Sequence, residues 1–178
     1  MGNGHPAAGN DKTQLCQGCH GEHGISSEVM IPKLGGQYAA YIAKQIEDFK
    51  SGARKHQIMS AMAATIDDAD VPDIAAYFAS QEQMKGASQV ENPVGRNLFA
   101  NGDEKRDVIA CSSCHGANGK GSSTFPVIGG QHSDYLRVQL NNWRSGTRSN
   151  SPGGVMNNIA KPLTDAEIDA LADYISGM

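Results

Sequence analysis

The chain has 178 residues, of which 39% are hydrophobic and 6% aromatic, and its formal net charge at pH 7 is −4. This charge balance provides no basic surface for nucleic acid, and no run of about eighteen apolar residues is present to span a membrane. The length suits one large domain or two small ones, and small domains of low apolar content bury little surface. A group bound inside each small domain would supply the missing core.

The first predicted helix, over residues 7–19, leads into the sequence CQGCH at 16–20. Two cysteines three positions apart, followed at once by a histidine, are the attachment signature of a c-type haem. Two thiols on one turn can form thioethers with the vinyl groups along one porphyrin edge, and the histidine that follows can bind the iron. We therefore predict Cys16 and Cys19 as attachment points and His20 as an axial ligand of a first haem c.

The rest of the first half has a helical pattern, after a loop rich in glycine, serine and proline. Apolar residues at helical spacing predict a helix over 38–51. A short helical turn is predicted over 59–64. The last helix of this half is predicted over 67–81, with Asp67 or Asp68 as its N-cap.

The second half begins after a polar linker predicted over 85–92, and it contains a second attachment motif, CSSCH at 111–115. This motif predicts Cys111 and Cys114 as thioether positions and His115 as an axial ligand of a second haem c. The motifs use all four cysteines of the chain.

Helices of the second half are predicted in the same order as those of the first. A short helix starts at Pro93, and a charged surface loop is expected over 101–107 before the second motif. Longer helices are predicted over 132–145 and 164–176, and the latter begins with Thr164 and Glu167 at the spacing of a capping box.

The two halves are related by an internal repeat, which decides the domain organisation. His20 aligns with His115 at an offset of 95 (115 − 20), after which the offset is 94 and, beyond three extra residues, 97. We therefore predict an all-α fold of two tandem domains, 1–84 and 93–178, joined by the linker 85–92 and each built around one haem c.

A CxxC pair can also hold zinc, form a disulfide or serve as a thioredoxin-like thiol pair. Structural zinc uses two such pairs about fifteen to twenty residues apart, whereas Cys19 and Cys111 are 92 apart (111 − 19). A thioredoxin motif requires a βαβ setting, whereas the pattern here is helical. Two CxxCH motifs at equivalent places of a duplicated chain favour haem.

The far side of each iron is expected to be closed by methionine or histidine, as in other haem electron carriers. The candidates are Met30, Met59, Met62, Met84, His23 and His56 in the first half and Met156, Met178 and His132 in the second. The repeat selects between them. Met59 and Met156 align, and each stands seven positions before an aligned apolar residue, at 66 and 163 (66 − 59; 163 − 156).

The other candidates do not recur as ligand pairs. Met62 aligns with Ile159, and His56 aligns with Gly153. We therefore predict Met59 and Met156 as the second axial ligands, against the alternative that both fill the core. The remaining histidines are expected to be exposed; they are His5, His23, His56 and His132.

Each half also has a Gly-Gly-Gln segment before its long helix. A structural role explains the segment and the helix, including the tyrosines at 41 and 135. Buried haem propionates need hydrogen-bond donors, and the candidates are Gln37, Gln131, Trp143 and Arg144.

Two CxxCHG units, a Pro-x-[Leu/Ile]-Gly-Gly-Gln segment, a Tyr-x3-Gln helix, an aligned methionine and an Ala-x-Tyr closing helix resemble the cytochrome c4 family. The resemblance covers nearly the whole chain. It implies two class I cytochrome c domains with His/Met ligation at both irons, a periplasmic location and an electron carrier rather than an enzyme. It also implies that the haem propionates of the two domains lie close together.

The leading functional prediction is an electron-transfer protein of the respiratory chain. Its donor would be a quinol-oxidising complex or a dehydrogenase, and its acceptor a terminal oxidase or reductase. One alternative is an electron-entry subunit of a periplasmic oxidoreductase complex, such as a flavocytochrome sulfide dehydrogenase. The other is a small dihaem enzyme, such as a peroxidase or thiosulfate oxidoreductase, which needs an iron with an open coordination position. Peripheral membrane association stays open. Residues 1–12 are polar and unlike an export signal, so we expect a processed, exported form.

Overall fold

A computed structural model describes residues 4–86 and 91–178 of the chain. The chain divides into two compact units, Met1–Met84 and Lys85–Met178. Part of the predicted linker, residues 87–90, lies outside the described residues, and the domain boundaries drawn from the sequence stay a prediction.

Helices form all the regular structure of the described ranges, 4–86 and 91–178, apart from an isolated β-bridge between Asp103 and Val108. The predicted all-α fold is therefore confirmed. No described helix has the length and apolar content needed to cross a membrane.

The first unit contains five α-helices and one 3-10 turn within its described residues. In chain order they are α1 (Pro6–Lys12), α2 (Gln14–His20), the 3-10 turn Glu22–Gly24, α3 (Ala39–Ser51), α4 (Gln57–Ala64) and α5 (Val71–Ser80). The core of this unit lies between α3 and α5, where Ile46 and Phe49 of α3 and Phe78 of α5 are buried. Helix α1 packs across α5.

The second unit repeats this order. Its described elements are α6 (Pro93–Asn101), the 3-10 turn Glu104–Arg106, α7 (Ser112–His115), α8 (Ser133–Ser145), the 3-10 turn Pro152–Gly154, α9 (Val155–Ala160) and α10 (Asp165–Ser176). Its core includes Phe99 of α6, Trp143 of α8 and Leu171 of α10. Helix α6 packs against α10 as α1 packs against α5.

The first predicted helix, over 7–19, is two helices in the structure, with a break at Thr13. Thr13 is fully buried, and both its backbone N–H and its hydroxyl donate to the carbonyl oxygen of Asn10, at 3.4 and 2.9 Å. Back-bonding of a threonine hydroxyl to the preceding turn competes with the regular helix and bends it. The chain therefore changes direction just before the attachment motif.

The last helix of the first unit begins at Val71 rather than at residue 67. Pro72 is the reason, because proline has no N–H and fits only the first turn of a helix. Asp67 and Asp68 therefore precede the helix and do not cap it; Asp68 instead pairs with Lys50 of α3. The capping box predicted at Thr164 and Glu167 is confirmed, with both reciprocal hydrogen bonds present.

Candidate haem sites

Each attachment motif lies on a short helix that ends at its histidine. Helix α2 ends at His20 and α7 ends at His115, and the glycine that follows each has a left-handed backbone, with φ of 82° at Gly21 and 74° at Gly116. At Gly21 a side chain is disfavoured by the positive φ and is also excluded by contact, because a Cβ atom would lie 2.2 Å from the carbonyl oxygen of Ile25. The turn fixes the histidine at the end of its helix.

The two motif histidines are held in the same tautomer. Nδ1 of His20 lies 2.9 Å from the carbonyl oxygen of Pro32, and Nδ1 of His115 lies 2.9 Å from that of Pro126. A carbonyl oxygen only accepts hydrogen bonds, so each Nδ1 carries the proton and each Nε2 has a free lone pair. A metal-binding histidine is typically oriented by such a bond from its other ring nitrogen.

Both motif histidines are buried, with 7% of His20 and 8% of His115 exposed. Burial lowers the pKa of both imidazoles, against the smaller opposing effect of the hydrogen bonds to Pro32 and Pro126. The neutral ring is the form that ligates a metal. Local environment and tautomer therefore both fit an axial ligand of haem iron.

The first cysteine of each pair is among the described residues that pack on the core of its unit, whereas the second is not. Cys16 and Cys111 contact the cores of their units, Cys19 is exposed and Cys114 is half-buried. Burial raises the pKa of the Cys16 thiol, and it raises that of Cys111 to about 11. A thiolate is disfavoured at both places, whereas an uncharged thioether has no such cost. None of the four cysteines forms a disulfide.

The two predicted methionines occupy equivalent places, and each packs on the core of its unit. The backbone N–H of Met59 donates to Nδ1 of His56 at 3.3 Å, and that of Met156 donates to Oγ of Ser151 at 3.2 Å. Each methionine thus lies in the first turn of its helix, α4 or α9, with its backbone N–H bonded to a preceding side chain, which for α4 is the N-cap residue. Their assignment as iron ligands stays a prediction.

The other candidates for the second axial ligands differ from one another in burial. Met62 is half-buried but is not among the described residues that pack on the first core. The histidines at 5, 23 and 56 are exposed as predicted. His132 is half-buried, contrary to the prediction, because it directly precedes α8 and follows the buried Gln131.

The proposed propionate donors divide into two groups. Gln37 and Gln131 are buried, and each accepts a hydrogen bond from the next backbone N–H through Oε1, at 3.0 Å. Arg144 instead donates to the carbonyl oxygen of Leu163 and to Asp165 at the start of α10. The aligned Lys50 makes the equivalent bond to the carbonyl oxygen of Ile66, so in each unit this basic position joins the long helix to the segment before the last helix.

One feature of both units has no counterpart in the sequence-based predictions. The guanidinium group of Arg54 lies 4.7 Å from the ring centre of Phe49 and donates to Gln45, whereas that of Arg148 lies 4.2 Å from Trp143 and donates to Gln139. The two arginines align with each other at the offset of 94, and so do the two aromatic residues and the two glutamines. That recurrence in the repeat is the signal that could have identified them.

The comparisons with known proteins agree with this geometry. The family model described as Cytochrome c matches residues 7–82 and 94–178. The chain is 41% identical to cytochrome c4 of Thiocapsa roseopersicina over 180 residues, which cover 98% of this chain and 93% of that protein. It is 36% identical to a thiosulfate dehydrogenase electron acceptor of Stutzerimonas stutzeri (strain A1501), with 100% of this chain and 83% of that protein covered.

The fold is also that of a solved structure, reduced recombinant cytochrome c4 from Pseudomonas stutzeri. The TM-score is 0.93 at 36% identity, with 98% of this chain and 99% of that chain covered. These matches span both units, and each unit has one complete attachment motif. The chain belongs to the cytochrome c4 family, whose members are dihaem electron-transfer cytochromes, and its cofactors are two haem c groups.

Proposed function

We propose that Cys16, Cys19, Cys111 and Cys114 hold the two haems by thioether bonds, with His20 and Met59 as axial ligands of one iron and His115 and Met156 as those of the other. The bound haem supplies a one-electron iron couple. The support comes from the Nδ1 bonds of the histidines, the burial of the first cysteines and the equivalent packing of the two methionines.

A protein that closes both axial positions with its own side chains leaves no place for a substrate at the iron. Such a site suits outer-sphere electron exchange, and it disfavours the peroxidase-like alternative, which needs an open position. The observation that carries this proposal is that both methionines lie in the first turn of equivalent helices, pack on the core of their units and bond a preceding side chain through their backbone N–H.

The test of the ligands is to replace each methionine beside a matched control. Met59→Ala should remove about half of the far-red charge-transfer band of the oxidised protein and open that iron to imidazole, whereas Met62→Ala should leave the band intact. Met156→Ala should remove the other half, and Ile159→Ala, at the position aligned with 62, should not. Loss of the band in Met62→Ala rather than Met59→Ala would overturn the assignment in the first unit.

We further propose that the protein works in the bacterial periplasm as a shuttle that receives electrons from a periplasmic dehydrogenase and delivers them to a terminal oxidase or reductase. The support is the similarity, over the full chain, to a protein named as the electron acceptor of thiosulfate dehydrogenase. A quinol-oxidising complex is the other donor that the family suggests. The alternative role, a bound subunit of an oxidoreductase complex, predicts a stable association instead.

Stopped-flow reduction of the oxidised holoprotein separates these roles. Purified thiosulfate dehydrogenase with thiosulfate should reduce both haems at a rate proportional to the enzyme concentration, and thiosulfate alone should not. A shuttle elutes separately from the enzyme on gel filtration, whereas a subunit elutes with it. Absence of enzyme-dependent reduction, together with rapid reduction by a quinol-oxidising complex, would reject the dehydrogenase as donor.

A further inference from the structure

The connection from the long helix to the proposed methionine ligand differs between the two units. From the stacked arginine to the methionine there are five positions in the first unit (59 − 54) and eight in the second (156 − 148). This longer connection includes Gly153 and Gly154, with φ of 62° and 67° and no atoms within 4 Å of where a Cβ would lie. A longer connection with two open glycines costs more entropy to fix.

One side chain restrains this connection in the second unit. The amide nitrogen of Asn157, the residue after Met156, donates to the carbonyl oxygens of Trp143 and Arg148, at 2.8 Å each. Both hydrogens of the amide group are therefore used. The bonds join the first turn of α9 to the end of α8 and to the start of the connection.

The first unit lacks this restraint, although the rest of the frame is duplicated. The residue aligned with Asn157 is Ser60 (60 + 97), and its hydroxyl accepts from the backbone N–H of His56 at 3.3 Å, within its own turn. Met59 thus follows a short connection and is bonded to His56 within its own turn. Met156 follows a longer connection, which the two hydrogen bonds of Asn157, here called the clamp, fix to α8.

We propose that Asn157 is a positioning residue, which keeps Met156 in reach of the second iron by fixing the start of α9 to α8. The inference rests on the proposed role of Met156 as a ligand. Its consequence is that loss of the clamp favours displacement of Met156 by an external ligand. Two hydrogen bonds of ordinary net strength correspond to a change of about thirtyfold in that equilibrium.

The experiment uses the oxidised, full-length holoprotein in a Met59→Ala background, so that the remaining far-red band reports on the second iron alone. Imidazole is titrated until the band disappears. Asn157→Ser, which introduces the residue that the first unit tolerates, should bind imidazole at the second iron about thirtyfold more tightly. Asn157→Asp keeps the shape but cannot donate, and it should show at least the same shift. The control is Asn158→Ser, because Asn158 is its exposed neighbour on the same helix.

Imidazole affinity within twofold of the parent in Asn157→Ser and Asn157→Asp would overturn the clamp, as would an equal shift in Asn158→Ser. The ligand assignment fails separately. If adding Met156→Ala to this background leaves the band in place, Met156 is not the ligand, whatever the asparagine variants show. If that variant abolishes the band while the asparagine variants behave like the parent, the ligand assignment holds and the clamp is rejected.

Discussion

Arg54 and Arg148 lie at aligned positions and make the same contacts, each stacked on an aromatic ring and bonded to a glutamine. Arg148 is the more buried, with 7% of its surface exposed. Stacking and a planar, two-sided hydrogen-bonding group are properties of arginine that lysine does not share. The position therefore depends on the shape of the guanidinium group as well as on its charge.

Arg148→Lys should lower the free energy of unfolding of the second unit by about 1–3 kcal/mol, because it removes a cation–π contact and hydrogen bonds from a charged group. Trp143 is the only tryptophan of the chain, so its fluorescence in a guanidinium titration reports on this unit alone. Arg96→Lys, at a residue whose side chain is 59% exposed, should change stability by less than about 0.5 kcal/mol. Equal effects of the two variants would show that charge, rather than stacking, is what the position requires.

Single residues differ in how well the sequence predicts them. The CxxCH spacing alone predicts that His20 and His115 are iron ligands, because attachment of two thiols to one porphyrin edge requires that spacing. The bond from His20 to the Pro32 carbonyl could not be predicted, since any residue has a carbonyl and only the fold selects one. The same holds for Asn157, whose partners lie on another helix.

In each unit the first helix crosses the last one closely, with a glycine at the crossing. Gly95 of α6 is buried where the helix crosses α10, and a Cβ there would lie 2.1 Å from the carbonyl oxygen of Ala170. Gly9 of α1 is in the same situation, 2.2 Å from the carbonyl oxygen of Asp73 in α5. In both units the terminal helices can approach this closely only because the first one has no side chain at the crossing.

Gly95→Ala should therefore destabilise the second unit by about 1–3 kcal/mol, although alanine is normally the better helix former. The clash is with backbone atoms, so α6 must move away from α10. The measurement is again the guanidinium titration followed by Trp143 fluorescence. Arg96→Ala, on the exposed side of the same helix, should be close to neutral; a stabilising effect of Gly95→Ala would contradict the close crossing.

The start of α10 is tied to the segment before the second attachment motif by charge. Both terminal nitrogens of Arg106 donate to the carboxylate of Glu167, at 3.1 and 2.6 Å, and Asp103 is a second partner. The Arg106 hydrogen bonds lower the pKa of Glu167 from the usual 4.5 to about 2. The predicted surface loop over 101–107 is therefore anchored through Arg106.

Because the pKa of Glu167 is lowered by folding, its contribution to stability is complete above about pH 4.5 and is lost as the pH falls toward about 2. Glu167→Gln, which keeps an acceptor for the capping box, should reduce stability at neutral pH, and its difference from the parent should shrink over that range. Thermal unfolding at several pH values measures this difference. Glu104→Gln, at an exposed residue of the same segment, should show no such dependence; a difference that stays constant down to pH 2 would refute the ion pair.

The sequence predicts elements well where one local pattern decides them. The apolar spacing predicts α3 and α8 to within one residue, since a long amphipathic helix has many positions that agree. It fails at Thr13 and at the start of α5. A buried threonine bond and a proline in the first turn decide those boundaries, and the broad helical pattern is the same on both sides of them.

For the whole molecule, duplication is the most informative feature of the sequence. It predicts two domains, two haem c groups and one methionine per domain from the same alignment, and the family match covers both halves. What it cannot predict is how the halves differ in function. The three extra residues and the asparagine after Met156 appear in the alignment only as a gap and a substitution, and their meaning depends on which carbonyl groups lie nearby.

An optical redox titration of the intact holoprotein tests whether two haem c groups with His/Met ligation each carry one electron. We expect reversible uptake of two electrons per chain, one at each iron. We also expect a far-red methionine–iron band in the oxidised form with an intensity appropriate to two haems. Uptake of a single electron, or an oxidised form that has half the band or none, would contradict these expectations.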